Sequence, residues 1–229
     1  MEMRKLLLLA NMLRPGSINA GEGWVLYNSN FIERSKPFYA EHLYEAVKAA
    51  NVANWPPFQE VSIRDAWLWL ESADCLSSGV GTGPLGRAWA ALSQIIKSSL
   101  NDDSSIQLIW VLIGLEALYA EGNLGLREQL VTKTEVLLGR REKNKKDFGA
   151  IYDYRSRLIH GNVDLPFSYM LFDSSKEHDA FRHELTRRSA LALAVLIATL
   201  QLMASRSWTA LEFTLSVSGR HVAPRDGGH

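Results

Sequence analysis

Apolar residues along most of this chain recur every three or four positions, the spacing that places them on one face of an α-helix. This pattern is nearly continuous from Ser62 onward, and the Ser62 hydroxyl is suited to cap the first helix of the series. Glycine follows three of the later segments, where a helix C-terminus favours a left-handed residue. The sequence predicts helices over residues 62–76, 87–100, 104–122, 124–139, 145–161 and 176–204.

The first sixty residues have no such regularity. The stretches RPGS, NAGEG and NWPPF indicate turns or loops around short apolar pieces such as GWVLY, and only residues 38–50 are predicted there to be helical. Beyond residue 205, the stretch WTALEFTLSVSG is compatible with a strand or with irregular packing. We therefore predict an all-α protein with an irregular N-terminal lobe over 1–60, a helical bundle over 61–205 and a C-terminal tail over 206–229.

The charge and cysteine content exclude several classes of protein. Lys and Arg together number 25, as do Asp and Glu, so the chain has no net charge that would attract nucleic acid or a membrane. Binding to either would require a local basic patch. Cys75 is the single cysteine, which excludes a disulfide framework or a multi-cysteine metal site and indicates a reducing cytoplasm. The most apolar segment, residues 106–120, is shorter than the ~20 residues of a membrane span, so we predict a buried core helix and no membrane association.

Two motifs that could bind a cofactor or a metal are better explained otherwise. Gly81, Gly83 and Gly86 match G-x-G-x-x-G, but that fingerprint needs a preceding strand, and a helix is predicted there, so we interpret it as an interhelical loop. His178 and His183 are five positions apart and point to different faces of a helix, which is typical of surface residues rather than of a metal pair. No cofactor or metal is predicted.

The helix around residues 148–160 has an arginine where an apolar residue is expected. On a helical wheel, Arg155 lies near the middle of an arc of aliphatic and aromatic side chains. An unpaired buried guanidinium is costly, so an anion or an intersubunit polar surface must receive it. Glu116, the only charged residue in the apolar segment 106–120, is the candidate partner. An Arg155–Glu116 pair on its own would make Arg155 an internal brace.

The opposite side of this helix is polar and ends in a histidine. Asp153 and Arg157 have the i, i+4 spacing of an ion pair, and Ser156 lies on the same side. His160 precedes Gly161 at the helix C-terminus, where an imidazolium complements the helix dipole. The same position suits a histidine that exchanges a proton near neutral pH in acid–base catalysis. Both interpretations predict a charged His160.

Three segments together resemble the HEPN domains, in particular their Apea-like branch: LIWVLIGLEALYAEG, LVTKTEVLLG and FGAIYDYRSRLIHG. The resemblance covers about residues 60–205 and is most specific in GLEAL and YDYRSRLIHG. It implies an all-α, antiparallel bundle that forms homodimers and, in active members, cleaves RNA without a metal ion in toxin–antitoxin or antiviral defence systems. An antitoxin or defence protein would then be a further partner.

The resemblance assigns Arg155 and His160 to the motif R-x-x-x-x-H as the catalytic residues. It implies a general acid or base role for His160 and a phosphate clamp for Arg155, with Glu116, Asp153 and Arg157 in support. Ser156 stands where asparagine, aspartate or histidine is common. The alternative is a non-catalytic HEPN module that binds RNA, a nucleotide or a partner protein.

The loop before this helix is strongly basic. It is either a solvated loop or a patch that binds the RNA backbone, because phosphate contacts supply most sequence-independent affinity. The candidate RNA-binding residues are Arg140, Arg141, Lys143, Lys145 and Lys146.

Overall fold

The computed structural model describes residues 2–21, 23–27, 31–35, 38–98, 104–122, 124–141, 145–163 and 176–214. Its elements are α1 (Glu2–Leu13), β1 (Gly23–Tyr27), β2 (Phe31–Ser35), α2 (Glu41–Ala53), α3 (Ile63–Ser72), α4 (Gly83–Ser98), α5 (Ser104–Tyr119), α6 (Leu126–Leu138), α7 (Lys145–Ile159) and α8 (Lys176–Ser205). The predicted all-α class is confirmed. The strands β1 and β2 form a short antiparallel hairpin, in which Gly23 is opposite Ser35.

The predicted helix boundaries follow from local signals that the structure reproduces. The Ser62 hydroxyl accepts a hydrogen bond from the Asp65 N–H at 3.0 Å, which caps α3. Gly122, Gly139 and Gly161 follow α5, α6 and α7 with φ of +66°, +87° and +71°, a region in which other residues are strained. Gly139 and Gly161 end α6 and α7 where the sequence indicates, whereas α5 ends at Tyr119, three residues before Gly122.

The N-terminal region is more regular than predicted. Residues 2–13 form α1, although only residues 38–50 were expected to be helical there. Leu9 and Met12 are fully buried, and α1 packs against α3 and α8. The leucine run has no alternation of apolar and polar residues because the second half of α1, residues 8–13, is buried. The division of the chain at residue 60 stays a prediction, but α1 and α2 share one hydrophobic core with the later helices.

Helix α8 is the central helix of the bundle. It packs against α1, α2, α3, α5, α6 and α7, and Ala192, Ala194 and Ala198 are fully buried in its second half. Small side chains allow neighbouring helices to approach closely. A segment of α8 is long and apolar enough to cross a membrane, but 83% of that window is buried inside the protein, as in the core helix of a globular domain.

Only the first glycine of the G-x-G-x-x-G stretch lies in an interhelical loop as predicted, because α4 begins at Gly83 and includes Gly86 in its first turn. Gly81 packs against the next helix so closely that a Cβ there would lie 2.1 Å from the Gly86 carbonyl oxygen. After α8 the chain continues without helix or strand through the described residues up to 214. Leu211 and Phe213 return to the core, and the Phe213 ring centroid lies 6.0 Å from that of Tyr119. The tail therefore packs irregularly over these residues.

Candidate functional site

Helix α7 is fixed to the bundle along one face. Phe148, Ile151 and Tyr154 are at most 8% exposed. Arg188 of α8 donates to the Ala150 carbonyl oxygen at 2.6 Å, and its guanidinium carbon lies 4.9 Å from the Tyr154 ring centroid. The polar side chains of α7 therefore project from a packed support.

The last turn of α7 closes in a Schellman motif. The Gly161 N–H donates to the Leu158 carbonyl at 3.3 Å, and the Asn162 N–H donates to the Arg157 carbonyl at 2.7 Å. This pattern places His160 at the C-cap position, as the sequence predicts. The His160 side chain is exposed to solvent, so its imidazole is accessible to a ligand.

Arg155 and Glu116 lie opposite each other between α7 and α5, as the sequence predicts. Their side chains are 25% and 22% exposed, and Arg155 Nη2 lies 3.8 Å from Glu116 Oε1. This distance is longer than a hydrogen bond. Arg155 Nε and Glu116 Oε1 are both buried and make no hydrogen bond to the described part of the chain. The Glu116 carboxylate is therefore near the guanidinium but accepts no hydrogen bond from its N–H donors.

Tyr152, one turn before Arg155, is the third member of this group. The Arg155 guanidinium carbon lies 5.8 Å from the Tyr152 ring centroid. Burial raises the pKa of the Tyr152 phenol, and the charge of the nearby Glu116 carboxylate raises it further. Glu116, Tyr152 and Arg155 are named the Arg155 cluster below. Tyr152 was not predicted to belong to this site, although it shares the apolar arc with Arg155.

The predicted ion pair between Asp153 and Arg157 is wrong. Arg127 of α6 occupies that role, with its Nε 3.0 Å from Asp153 Oδ1. Arg157 instead donates to the carbonyl oxygen of Asn162, at 3.4 Å from Nε and 3.3 Å from Nη2. Gly149 makes room for Arg127, since a Cβ there would lie 2.9 Å from Arg127 Nη2. The ion-pair partner of Asp153 is therefore Arg127 of α6 rather than a residue of α7 itself.

Arg141 does not belong to an exposed basic patch, which corrects its predicted role in RNA binding. Its side chain is 3% exposed and lies 3.4 Å from Glu135 Oε1. The guanidinium carbon lies 4.8 Å from the Trp55 ring centroid and 5.2 Å from that of Phe148. Arg141 therefore braces the junction between α2 and α7 through cation–π contacts.

For the other basic residues of this loop, binding of the RNA backbone stays a prediction. Arg140 is exposed. Lys143 lies outside the described residues, and the side chains of Lys145 and Lys146 do as well, although their backbone begins α7. Ser156 is half-buried, and its supporting role also stays a prediction.

Helix α5 leaves one apolar face toward solvent, although a fully buried helix was predicted. Ile106 and Ile113 are 43% and 36% exposed, and the other side chains on this face are half-buried. A helix that is apolar on every side is ordinarily covered on every side. Glu116 lies at the edge of this surface, which we name the α5 face. It consists of Ile106, Ile109, Trp110, Ile113 and Ala117.

The arrangement offers acid–base and electrostatic chemistry. An exposed imidazole and a loosely paired guanidinium lie on one helix, with no cluster of three metal-ligating side chains in the described part of the chain. No protein-family model, no curated protein and no solved structure matches this chain.

Proposed function

We propose that this protein is a metal-independent endoribonuclease of the HEPN type. The RNA supplies its own nucleophile, so the protein has to move protons and stabilise charge on the phosphate. The 2′-hydroxyl loses its proton and attacks the adjacent phosphorus, the bond from phosphorus to the 5′-oxygen breaks, and that oxygen takes up a proton. The products are a 2′,3′-cyclic phosphate and a 5′-hydroxyl.

The observation that carries this proposal is the state of the Arg155 guanidinium. It is a quarter exposed, its Nε makes no hydrogen bond to the described residues, and the facing carboxylate is 3.8 Å away. Buried donors of this kind are rare and indicate a ligand, a water or a functional role. A phosphate offers the planar, charge-assisted contacts that guanidinium favours.

A second copy of the chain would complete the site. Arg155 and His160 are five residues apart on one helix, which separates them by about 140° around the axis and about 7.5 Å along it. A single protomer therefore does not direct both groups at one phosphate. Two copies would supply two histidines, one to accept the proton from the 2′-hydroxyl and one to protonate the 5′-oxygen. The protein would act as a cytoplasmic homodimer in a toxin–antitoxin or antiviral defence system.

The purified protein is expected to cleave RNA in EDTA and to leave 2′,3′-cyclic phosphate ends. The measurement is end-group analysis of a defined RNA strand by mass spectrometry. A matched strand with a single 2′-deoxy residue at the cleavage position is the control, because it lacks the nucleophile. Cleavage of the deoxy-substituted strand at that position, or 3′-hydroxyl products, would contradict the mechanism.

The α5 face is the surface that we expect the second copy to cover, because it is apolar and continuous with the Arg155 cluster. Ile113→Glu places a charge on this surface and is expected to weaken dimerisation at least about tenfold. Sedimentation equilibrium of the variant and the wild type measures the change. Val52→Glu is the matched control, since Val52 is 83% exposed on α2. Equal dissociation constants for both variants would exclude the α5 face.

The second candidate function is a non-catalytic HEPN module that binds RNA, a nucleotide or a partner protein. The observation that favours it is the Arg155–Glu116 pair itself, because both side chains are largely buried. In that case Arg155 holds α7 to α5, and its removal strands a buried carboxylate. Stability measurements on Arg155 variants separate the two functions.

A further inference from the structure

The hairpin of β1 and β2 is fixed to the bundle at its base. The backbones of Ala20 and Phe38 exchange two hydrogen bonds there, of 2.8 Å from the Ala20 N–H and 2.7 Å from the Phe38 N–H. Phe38 is buried in the core. The fully buried Asn11 side chain of α1 accepts from the Ile18 N–H at 3.2 Å and donates to the Ile18 carbonyl at 2.9 Å. Both ends of the hairpin are therefore held by the helical bundle.

Beyond this base, the two strands form a ribbon with little support from the helices. Ala20 and Phe38 pair in the same register as β1 and β2, in which Tyr27 is opposite Phe31 at the far end. At about 3.4 Å per residue, the ribbon from Ala20 to Tyr27 is about 24 Å long, about twice the diameter of a helix. Among the described residues, neither strand packs extensively against a helix. The strands β1 and β2 are named the β-arm below.

The composition of the β-arm indicates a protein partner. Four of the five residues in β1 and two of the five in β2 are aliphatic or aromatic. Their alternation places Leu26 and Ile32 on one face of the ribbon and Tyr27 and Phe31 on the other. The two strands together contain one acidic and one basic residue, so the β-arm has no net charge to attract RNA phosphates. A two-stranded hairpin is only marginally stable without further packing, and apolar surface is characteristic of protein interfaces.

The base of the β-arm lies beside one end of the α5 face. Helix α2 begins at Glu41, directly after this base, and the Gln107 side-chain amide of α5 donates to His42 Nε2 in its first turn. Ile106, next to Gln107, is the first residue of the α5 face and is 43% exposed. A ribbon about 24 Å long that starts here can reach a second copy of the chain seated on the α5 face.

The α5 face alone is small for a stable interface. It consists of five residues, whereas a stable interface typically uses about 20–30 residues on each side. In a two-fold dimer, each copy would contribute its α5 face, its own β-arm and the surface that receives the partner's β-arm. The β-arm therefore supplies contact area that the α5 face lacks.

We propose that the β-arm clasps a second copy of this chain, so that each protomer of the homodimer lies against the β-arm of its partner. This inference deepens the homodimer of the proposed function and rests on it. The clasp is expected to stabilise the dimer whether or not RNA is present.

Removing the β-arm tests the clasp. Replacing residues 22–37 with a short Gly-Ser linker leaves Ala20 and Phe38 in place at the base. The dissociation constant of the dimer, measured by sedimentation equilibrium without RNA, is expected to rise at least about tenfold. The melting temperature of the dilute monomer should stay close to the wild-type value, because neither strand packs extensively against a helix.

Charged substitutions keep the β-arm and test its two faces separately. Leu26→Lys and Val25→Lys each place a charge on one face, and at least one of them is expected to raise the dissociation constant about threefold or more. Val52→Lys is the matched control, since Val52 is 83% exposed on α2. If the linker variant does not fold, these substitutions still decide the question. Wild-type dissociation constants for both would overturn the clasp.

Photo-cross-linking identifies what the β-arm contacts. A benzophenone amino acid at position 26 is introduced into a mixture of ¹⁵N-labelled and unlabelled protein, with and without an RNA strand that has 2′-O-methyl groups throughout. Mass spectrometry is expected to find cross-linked peptide pairs with one labelled and one unlabelled member. Ile113→Glu should reduce these pairs, because it separates the two copies. Cross-links within one chain only, or to RNA only, would overturn the clasp.

The outcomes distinguish the clasp from the proposed function. If Ile113→Glu weakens the dimer and the β-arm variants do not, the clasp is overturned and the proposed function is unaffected. If the β-arm variants weaken the dimer but the wild type does not cleave RNA, the clasp is supported and the proposed activity is excluded. A wild-type protein that stays monomeric would contradict both.

Discussion

Replacing His160 with alanine is expected to lower the rate of RNA cleavage by about 10²- to 10⁴-fold, the contribution that a positioned acid or base usually makes. The His160 side chain is exposed at the C-cap of α7. The Schellman motif at Gly161 is formed by backbone groups and remains intact. The melting temperature should therefore stay at the wild-type value while single-turnover cleavage falls.

His183→Ala is the matched control for this experiment. His183 is an exposed histidine on α8 to which no role is assigned, and its removal should leave the cleavage rate unchanged. His160→Gln is a second test, because glutamine retains hydrogen bonding but does not exchange a proton near neutral pH. Wild-type cleavage by both His160 variants would exclude the imidazole from the chemistry.

Replacing Arg155 with alanine is expected to lower cleavage by about 10²- to 10³-fold, as for the loss of one charge-stabilising donor group. Its effect on stability should be small, about 1 kcal/mol, because the Glu116 pair is longer than a hydrogen bond and the carboxylate already lacks a close partner from Arg155. If the protein is instead a non-catalytic module, the Arg155→Ala variant should lose stability and not activity. There, a stranded Glu116 would cost about 3–5 kcal/mol, with no enzymatic activity to lose.

Chemical denaturation and single-turnover cleavage of the same Arg155→Ala preparation distinguish these cases. Arg14→Ala is the matched control, because Arg14 also has one loosely placed carboxylate partner, Glu60 at 3.4 Å, but lies outside α7. Arg155→Lys tests the fork geometry, since lysine keeps the charge without the paired donors. Recovery of full cleavage by lysine would contradict a bidentate clamp on the phosphate.

The candidate site was partly visible in the sequence. Arg155 interrupts an apolar arc, and Glu116 is the one charge in an apolar segment, so their pairing follows from the cost of burying either alone. The partner of Asp153 could not be found this way, because Arg127 reaches it from another helix over the space left by Gly149. Arg141 was likewise predicted as one of several loop cations, whereas its side chain is buried against Trp55 and Phe148.

Periodicity and capping act within a few residues, so the helices from residue 62 onward, the glycine caps of α6 and α7 and the all-α class could be predicted from the amino-acid sequence. That α1 belongs to the core, that α8 is central and that α5 leaves an apolar face uncovered could not be predicted. A uniformly apolar helix contains no information about which of its faces the neighbouring helices cover. Packing between distant segments makes that choice, and here it places the uncovered face beside Arg155.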